Sequence, residues 1–388
     1  MNAPTVAILQ RRLTHYRTPF FEALKVELGS RGIALILVHG QPAKIELTKK
    51  DEGHLPWATV VHNRYLRIAG KDLVWQPLPP EAKGADLLVF TQENSILSNY
   101  AHLLRRRLGG PKVAYWGHGV NFQSDAPAGL RERWKRLWLN QVDWWFAYTE
   151  LTVERLLRAG FPAARITCLN NAVDTLEFKR DLAAVSDADL TALRAQHNIP
   201  RQAQIGLFCG SLYPDKRLDL LLAAADIMHN QQPEFVLAVM GDGPDGAWLR
   251  AQALNRPWLK ILGPLKGSTK AKWFRLADIL LNPGLVGLLV LDSFSAALPM
   301  ITTATARHSP EIAYLGNGEN GLVVEDSPLG YAQAALSLLA DEAERQRLGA
   351  NALVASTRYT VENMASNFAH GIRQCLSGRL FPSHHGGT

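Results

Sequence analysis

A chain of 388 residues, 47% hydrophobic and 20% charged, is long enough for two ordinary domains and too apolar to be disordered. Its formal charge of +7 favours anionic partners, a class that includes nucleotides, membrane lipids and nucleic acids. No apolar run reaches the roughly 18 residues of a membrane-crossing helix. The N-terminus MNAPTVAILQRRLTHYRTPF lacks the basic-then-apolar order of a signal peptide, so a cytoplasmic protein is expected.

In chain order, the first half offers strands at TVAILQ (5–10), IALILVHG (33–40), DLLVFTQ (86–92), KVAYWGH (112–118), WWFAYTE (144–150) and ITCLNN (166–171). Amphipathic, helix-length segments such as YRTPFFEALKVELGSRG and LRERWKRLWLNQV lie between several of them. Residues 174–203 turn charged and polar, with helix-like pieces, and end in HNIPRQAQ, which reads as a linker. Alternation restarts with QIGLFCGSL (204–212), a helix near 216–230, EFVLAVMG (234–241), a helix near 245–254, LKILGPL (259–265) and DILLNPG (278–284). A helix near 287–298, then PMITTA (299–304), GLVVE (321–325) and a helical tail over 330–377 complete the chain. Continuous apolar strands separated by helices predict parallel sheets covered on both faces. The fold class is α/β, with two doubly wound units of similar size, and the cleft between two facing domains is the expected site.

Cys168, Cys209 and Cys375 are too few and too scattered for a disulfide framework or a zinc site, and Cys209 in IGLFCG reads as core. No His/Asp/Glu cluster or Asp-x-Asp pair demands a metal. GDGPDG (241–246) is a literal G-x-G-x-x-G, but the next strand, LKILGPL, ends without the carboxylate that a dinucleotide's ribose needs. The motif also lies inside the second unit instead of opening the fold. A dehydrogenase is therefore rejected.

Several strand-end loops of the second half carry unusual residues. CGSLYPDKRLDLLL (209–222) sets Lys216 and Arg217 at a helix start, and MGDGP and GPL follow. LLNPGLVGLLVLDSFSAALPM (280–300) holds a single charged residue, Asp292. RHSPEIAYLGNGENGLVV (307–324) places Glu311 in a helix's first turn, behind Ser309 as candidate N-cap and Pro310 at N1. A bound diphosphate, or another anion of its kind, needs positive charge and backbone N–H groups. Lys216 with Arg217 can supply the first, and a helix starting near Gly287 the second. Gly284 and Gly287 have no Cβ, so the backbone there can approach a ligand closely. A lone acid on an apolar helix is costly to bury, which favours a ligand contact for Asp292.

In order and spacing across about 204–325, GSLYPDKR, GDGP, NPGLVGLLVLDSFSAALPM, PEIAYL and NGLVV resemble the retaining nucleotide-sugar glycosyltransferases of the GT-B fold, specifically the family-4 group. WGHGVNF, NAVDTLEF and YTVENMASNF extend the resemblance more weakly. It implies two Rossmann-like domains facing across a cleft: 1–172 for the acceptor and 173–355 for the donor, with 356–388 crossing back as a helix and tail. It implies donor contacts at Gly210, Ser211, Arg217, Gly241, Gly243, Gly284, Val286, Gly287, Leu288, Asp292 and Glu311, with Asp292 at the ribose hydroxyls. It implies Lys216 at the phosphates and His118 beside the anomeric carbon. The donor would be a UDP-, GDP- or dTDP-sugar acting as co-substrate, with no cofactor and no metal. Two departures stand out. The family's first glutamate, eight positions before the second, is Gly284 here, and the arginine of G-R-L is Ser211.

The family binds its acceptor mainly with the first domain. QRRLTHYRTPF puts Arg11, Arg12, His15, Tyr16 and Arg17 after the first strand, and ENS puts Glu93 after another; His15, Tyr16, Arg17 and Glu93 are the acceptor candidates. LRRRLGG (104–110) and LRERWKRLWLNQVDWW (130–145) join arginines to tryptophans, which leaves open a peripheral membrane contact suited to a lipid-linked glycan acceptor. No RNA- or DNA-reading motif accompanies them, so nucleic acid is not expected. Beside a metal-independent hexosyl- or deoxyhexosyltransferase in polysaccharide assembly stand two alternatives: a non-catalytic nucleotide-sugar or glycan-binding module, and a related GT-B phosphorylase or epimerase.

Overall fold

The computed structural model describes residues 3–43, 51–68, 71–119 and 138–378. It divides into two compact units: one comprises the chain up to Asp174 and returns with Thr360 onward, the other spans Thr175–Tyr359.

The first unit is built on a seven-stranded parallel sheet. Its strands are β1 (Thr5–Gln10), β2 (Ala34–His39), β3 (Thr59–Val60), β6 (Leu87–Thr91), β7 (Lys112–Gly117), β8 (Trp144–Ala147) and β9 (Ile166–Cys168), in the order β3-β2-β1-β6-β7-β8-β9. The four residues of β8 are all buried, as the covered centre of a parallel sheet requires. Trp144 and Trp145 are therefore core residues and cannot serve as membrane anchors. The C-terminal helix Val361–Ser377 belongs to this unit: Phe368 stacks on Phe146 with ring centroids 4.1 Å apart and meets Trp116 edge-on. The antiparallel hairpin β4 (Arg64–Ile68) and β5 (Lys71–Trp75), like β3, was not expected from the sequence. Leu66, Ile68 and Trp75 are exposed there, so these strands lack the continuous apolar signature of the buried ones.

The second unit carries β10 (Ile205–Cys209), β11 (Val236–Met240), β12 (Leu259–Gly263), β13 (Ile279–Leu281), β14 (Met300–Thr303) and β15 (Gly321–Val324), all parallel, in the order β12-β11-β10-β13-β14-β15. This is the doubly wound 3-2-1-4-5-6 topology, and its order reverses between β10 and β13. At such a reversal the connections leaving the two strands run to opposite faces of the sheet, which is where ligands of doubly wound folds bind. The helix-like pieces expected within 174–203 form two helices, Leu176–Ala184 and Asp187–Gln196, the second opened by a Ser186/Asp189 capping box. Phe178 packs edge-on against Phe274 of the helix Gly267–Leu276, so this segment is part of the domain.

Candidate functional site

At the carboxyl end of β10 the chain turns through Gly210 and Ser211 into a short 3-10 turn, Pro214–Lys216, and then the helix Leu218–Gln231. Arg217 between them is left-handed, with φ 54°. Lys216 is only 6% exposed, and its ammonium donates to the Leu285 carbonyl on the loop after β13. Burial lowers its pKa to about 8. The neighbouring Cys209 thiol is pushed up to about 12, again by burial. Arg217 is engaged in an ion pair with Asp326.

The loop after β13 is held at nearly every backbone group. Leu285 N–H donates to Asp215 O at 2.8 Å, and Leu285 O accepts from Lys216 and from the buried Asn282 amide. Thr303 Oγ1 donates to Pro283 O at 2.7 Å, and Ser309 N–H donates to Val286 O at 2.9 Å. The Val286 N–H donates to Nδ1 of His308. The next three N–H groups, of Gly287, Leu288 and Leu289, have no acceptor among the described residues, and all three residues are half-buried. Consecutive N–H groups of this kind are an anion-binding device.

Glycine plays a different part at 284 from the one expected. A Cβ there would lie 2.3 Å from the Asp215 carbonyl oxygen and 2.4 Å from the Lys216 carbonyl carbon. The space where a side chain would begin is thus filled by the loop that carries Lys216, not held open for a ligand. Close ligand approach remains available at Gly287, where a Cβ would meet nothing nearer than 3.8 Å. Gly241 follows the same logic as Gly284: its φ is 149°, and a Cβ would clash with the Gly210 carbonyl at 1.8 Å. With Gly243 it locks the β10 and β11 loops together, Leu212 N–H donating to Asp242 O at 2.9 Å.

The helix after this loop is Leu289–Ser295, starting two residues later than expected, so Asp292 lies in its first turn. Asp292 is not a solitary acid. Its Oδ2 is 2.8 Å from Nζ of Lys270, a cation absent from the sequence reading, and both side chains are about one-fifth exposed. Lys270 also lies over the Phe178 ring, 4.5 Å from its centroid. Glu311 is buried in the 3-10 turn Pro310–Tyr314; Ser309 sits at the N-cap position, but its side chain accepts no capping hydrogen bond. Gly210, Ser211, Lys216, Arg217, Gly241, Gly243, Gly284, Val286, Gly287, Leu288, Asp292 and Glu311 thus all belong to the second unit and lie on its strand-end loops or the turns and helix that follow them. Lys270, His308 and Asn282 join them. Their only sequence signal was weak: a polar residue inside an otherwise apolar strand end, or one cation of a helix.

The acceptor candidates and His118 lie in the first unit. His118 is exposed after β7, its ring edge-on to Tyr148 at 4.5 Å. His15 and Tyr16 are exposed on the 3-10 turn His15–Arg17. Arg17 departs from expectation. It is 7% exposed, donates to Asn171 Oδ1 at 2.7 Å, and lies over the rings of Tyr16, Trp116 and Tyr148. Its buried guanidinium is a structural group in this unit. Arg12 forms a two-pronged pair with Asp51, and Glu93 meets Arg11 at 3.6 Å. In the LRRRLGG segment Arg106 is bonded to Asp143 at 2.7 and 2.5 Å and Arg107 to Gln141, so these arginines are not a free basic face. Residues 130–137 of the second basic segment, Val120, Asn121 and Phe122 of WGHGVNF, and His384 and His385 lie outside the described residues.

Residues 203–341, which span the whole second sheet and the helix after it, match the family described as "Glycosyl transferases group 1". Through these residues the chain is similar to the group 1 glycosyltransferases. The strand-end loops described above lie wholly inside these matched residues. The D-inositol 3-phosphate glycosyltransferase 2 of Catenulispora acidiphila is 27% identical over 239 residues, 57% of this chain and 53% of that protein. The chain spans about half the length of the curated relatives it matches. Among solved structures, Anabaena Alr3699/HepE in complex with UDP and glucose superposes with a TM-score of 0.65 at 14% identity, covering 96% of this chain and all of that one. Sucrose-phosphate synthase from Thermosynechococcus elongatus gives 0.69 at 16% identity, covering 97% and 100%. At such identities the likeness is one of fold: the GT-B architecture of two Rossmann-like units.

Proposed function

We propose that the protein transfers a sugar from a nucleotide diphosphate sugar to a hydroxyl acceptor, a glycan or lipid-linked glycan, with retention at the anomeric carbon. The observation that carries this reading is the pairing of a buried lysine, Lys216 on the loop after β10, with the three N–H groups of Gly287–Leu289 on the loop after β13, both within the residues that match group 1. Charge that develops on a leaving diphosphate needs fixed donors already in place, and these groups are fixed by the loop's own hydrogen bonds. In this reading Asp292 accepts from the ribose diol through the oxygen Lys270 does not hold. His118 lies beside the reacting carbon, and His15, Tyr16 and Glu93 contact the acceptor. The reaction draws on no cofactor and no metal, the leaving phosphate itself taking the acceptor proton. The solved Anabaena neighbour, in complex with UDP, supports a nucleotide as ligand. A peripheral site on the inner face of the membrane suits a lipid-linked acceptor.

A second reading, a binding module without turnover, is favoured by Ser211 and Gly284 where the family resemblance implies an arginine and a glutamate. Incubation with UDP-, GDP- and dTDP-sugars and a panel of glycan and polyprenyl-linked acceptors separates the two. Sugar transfer that releases the nucleotide supports the transferase. Binding of a donor with no transfer to any acceptor supports the module instead.

A further inference from the structure

His308 stands between the donor loop and the end of β14. Its Nδ1 lies 3.1 Å from the Val286 amide nitrogen, and its Nε2 lies 2.7 Å from the Thr303 carbonyl oxygen. A carbonyl cannot donate, so Nε2 carries the proton; an amide N–H cannot accept, so Nδ1 is bare. The ring is neutral, in one tautomer, with both nitrogens engaged. Val286 is also the last residue before the three N–H groups that lack acceptors, and its own carbonyl is taken by Ser309.

We propose that His308 is a positioning residue of the donor loop: by accepting the Val286 N–H and donating to the Thr303 carbonyl, its imidazole fixes the turn that presents the N–H groups of Gly287, Leu288 and Leu289 to the phosphates of a nucleotide diphosphate sugar. This rests on the donor reading above and adds the residue that sets the loop's shape. A second proton on Nδ1 would face the Val286 N–H with another donor, so the hold is lost when the ring charges. Of the charged groups, Lys216 from the loop after β10 acts on the ring, while Arg307 precedes it in the chain and Glu311 lies on the turn that follows. Burial is the largest influence and holds the ring below its ordinary range; Lys216 acts the same way, and the Thr303 carbonyl opposes them. A histidine whose pKa is lowered on folding contributes through its neutral form. That contribution is complete above about 6.5 and is lost as pH falls through the folded value.

Two variants separate the bonds. His308→Asn keeps an acceptor near the Nδ1 position and cannot titrate, whereas His308→Phe keeps a ring and loses both bonds. The readouts, on the full chain, are calorimetric affinity for UDP-glucose at pH 7 and pH 5, and hydrogen exchange of the 284–290 segment without nucleotide. The phosphates of this probe stay ionised over that range. The wild type is expected to bind more weakly at pH 5 than at pH 7. The Asn variant should stay within three-fold of the wild type at pH 7 and be flat with pH. The Phe variant should bind at least ten-fold more weakly at both, with exchange of the segment at least ten-fold faster. A Phe variant with wild-type affinity or exchange, or an Asn variant that keeps the wild-type pH profile, overturns the proposal alone. Failure of the wild type to bind UDP-glucose, GDP-mannose or dTDP-glucose overturns the donor reading and the proposal with it.

Discussion

Lys270 holds Asp292. The ammonium and carboxylate are 2.8 Å apart, twenty-two residues apart in sequence, and each side chain is about one-fifth exposed. The single acid of an apolar stretch is thereby compensated from a neighbouring helix. That compensation also orients it: Oδ2 faces Lys270, and in the proposed reading Oδ1 would accept from the ribose.

Removing the cation should therefore weaken donor binding through the acid. Lys270→Met is expected to raise the Kd for the donor by roughly five-fold, matching about 1 kcal/mol for a half-buried pair. Asp292→Asn is expected to cost more, roughly ten-fold or above, because a charged acceptor for the ribose is lost. Calorimetry on the two single variants and the double variant checks it: the double variant should bind like Asp292→Asn alone.

Lys216 is buried at a cost, and burial lowers its pKa to about 8. In the unfolded chain a lysine titrates near 10.4, so between about 8 and 10.4 the unfolded state binds more protons and stability should rise with pH. Lys216→Met should consequently raise the Tm at pH 7 by a few degrees while abolishing turnover. Thermal denaturation at pH 7 and pH 10 checks the sign, and the gain should shrink at the higher pH.

Gly284 is enclosed by the backbone of Asp215 and Lys216, with less than 2.6 Å available to a Cβ. Gly284→Ala should cost about 1–3 kcal/mol as overpacking, read as a lower midpoint in urea. Because the displaced atoms belong to Lys216, turnover should fall with stability. Gly284→Glu, which restores the residue type implied by the resemblance, should be worse than alanine and should not improve activity.

Arg17 is expected to behave as a core residue. Arg17→Ala removes the bond to Asn171 and the contacts with Trp116 and Tyr148, at a cost of about 2 kcal/mol. Thermal denaturation should show a lowered Tm, while the acceptor KM of the folded fraction should stay unchanged.

The fold was legible because its strands are buried on both faces. The five residues of β11 are all buried, and such runs stand out whatever surrounds them. The β4–β5 hairpin did not stand out, since a strand such as RYLRI exposes most of its length and mixes arginines with aliphatics. At the site, strand-end loops announce themselves through glycine and proline, which located Lys216, Gly287 and Asp292. What the sequence could not carry was partnership. Lys270 and Asp292, or His308 and Val286, meet only through the parallel stacking of β10, β13 and β14. Nor could it separate a glycine that admits a ligand from one that admits another loop: Gly287 and Gly284 look alike in sequence and differ in what faces them.

The central claim is that the loops after β10 and β13 bind the diphosphate of a nucleotide sugar. Its most direct measurement is calorimetric titration of the full chain with UDP-glucose, GDP-mannose and dTDP-glucose at pH 8, in buffers of different ionisation enthalpy, alongside Lys216→Ala. The expected result is saturable binding of at least one donor with net proton uptake, as the phosphates recharge Lys216, and loss of both in the variant. Binding that takes up no proton and survives Lys216→Ala unchanged would contradict it.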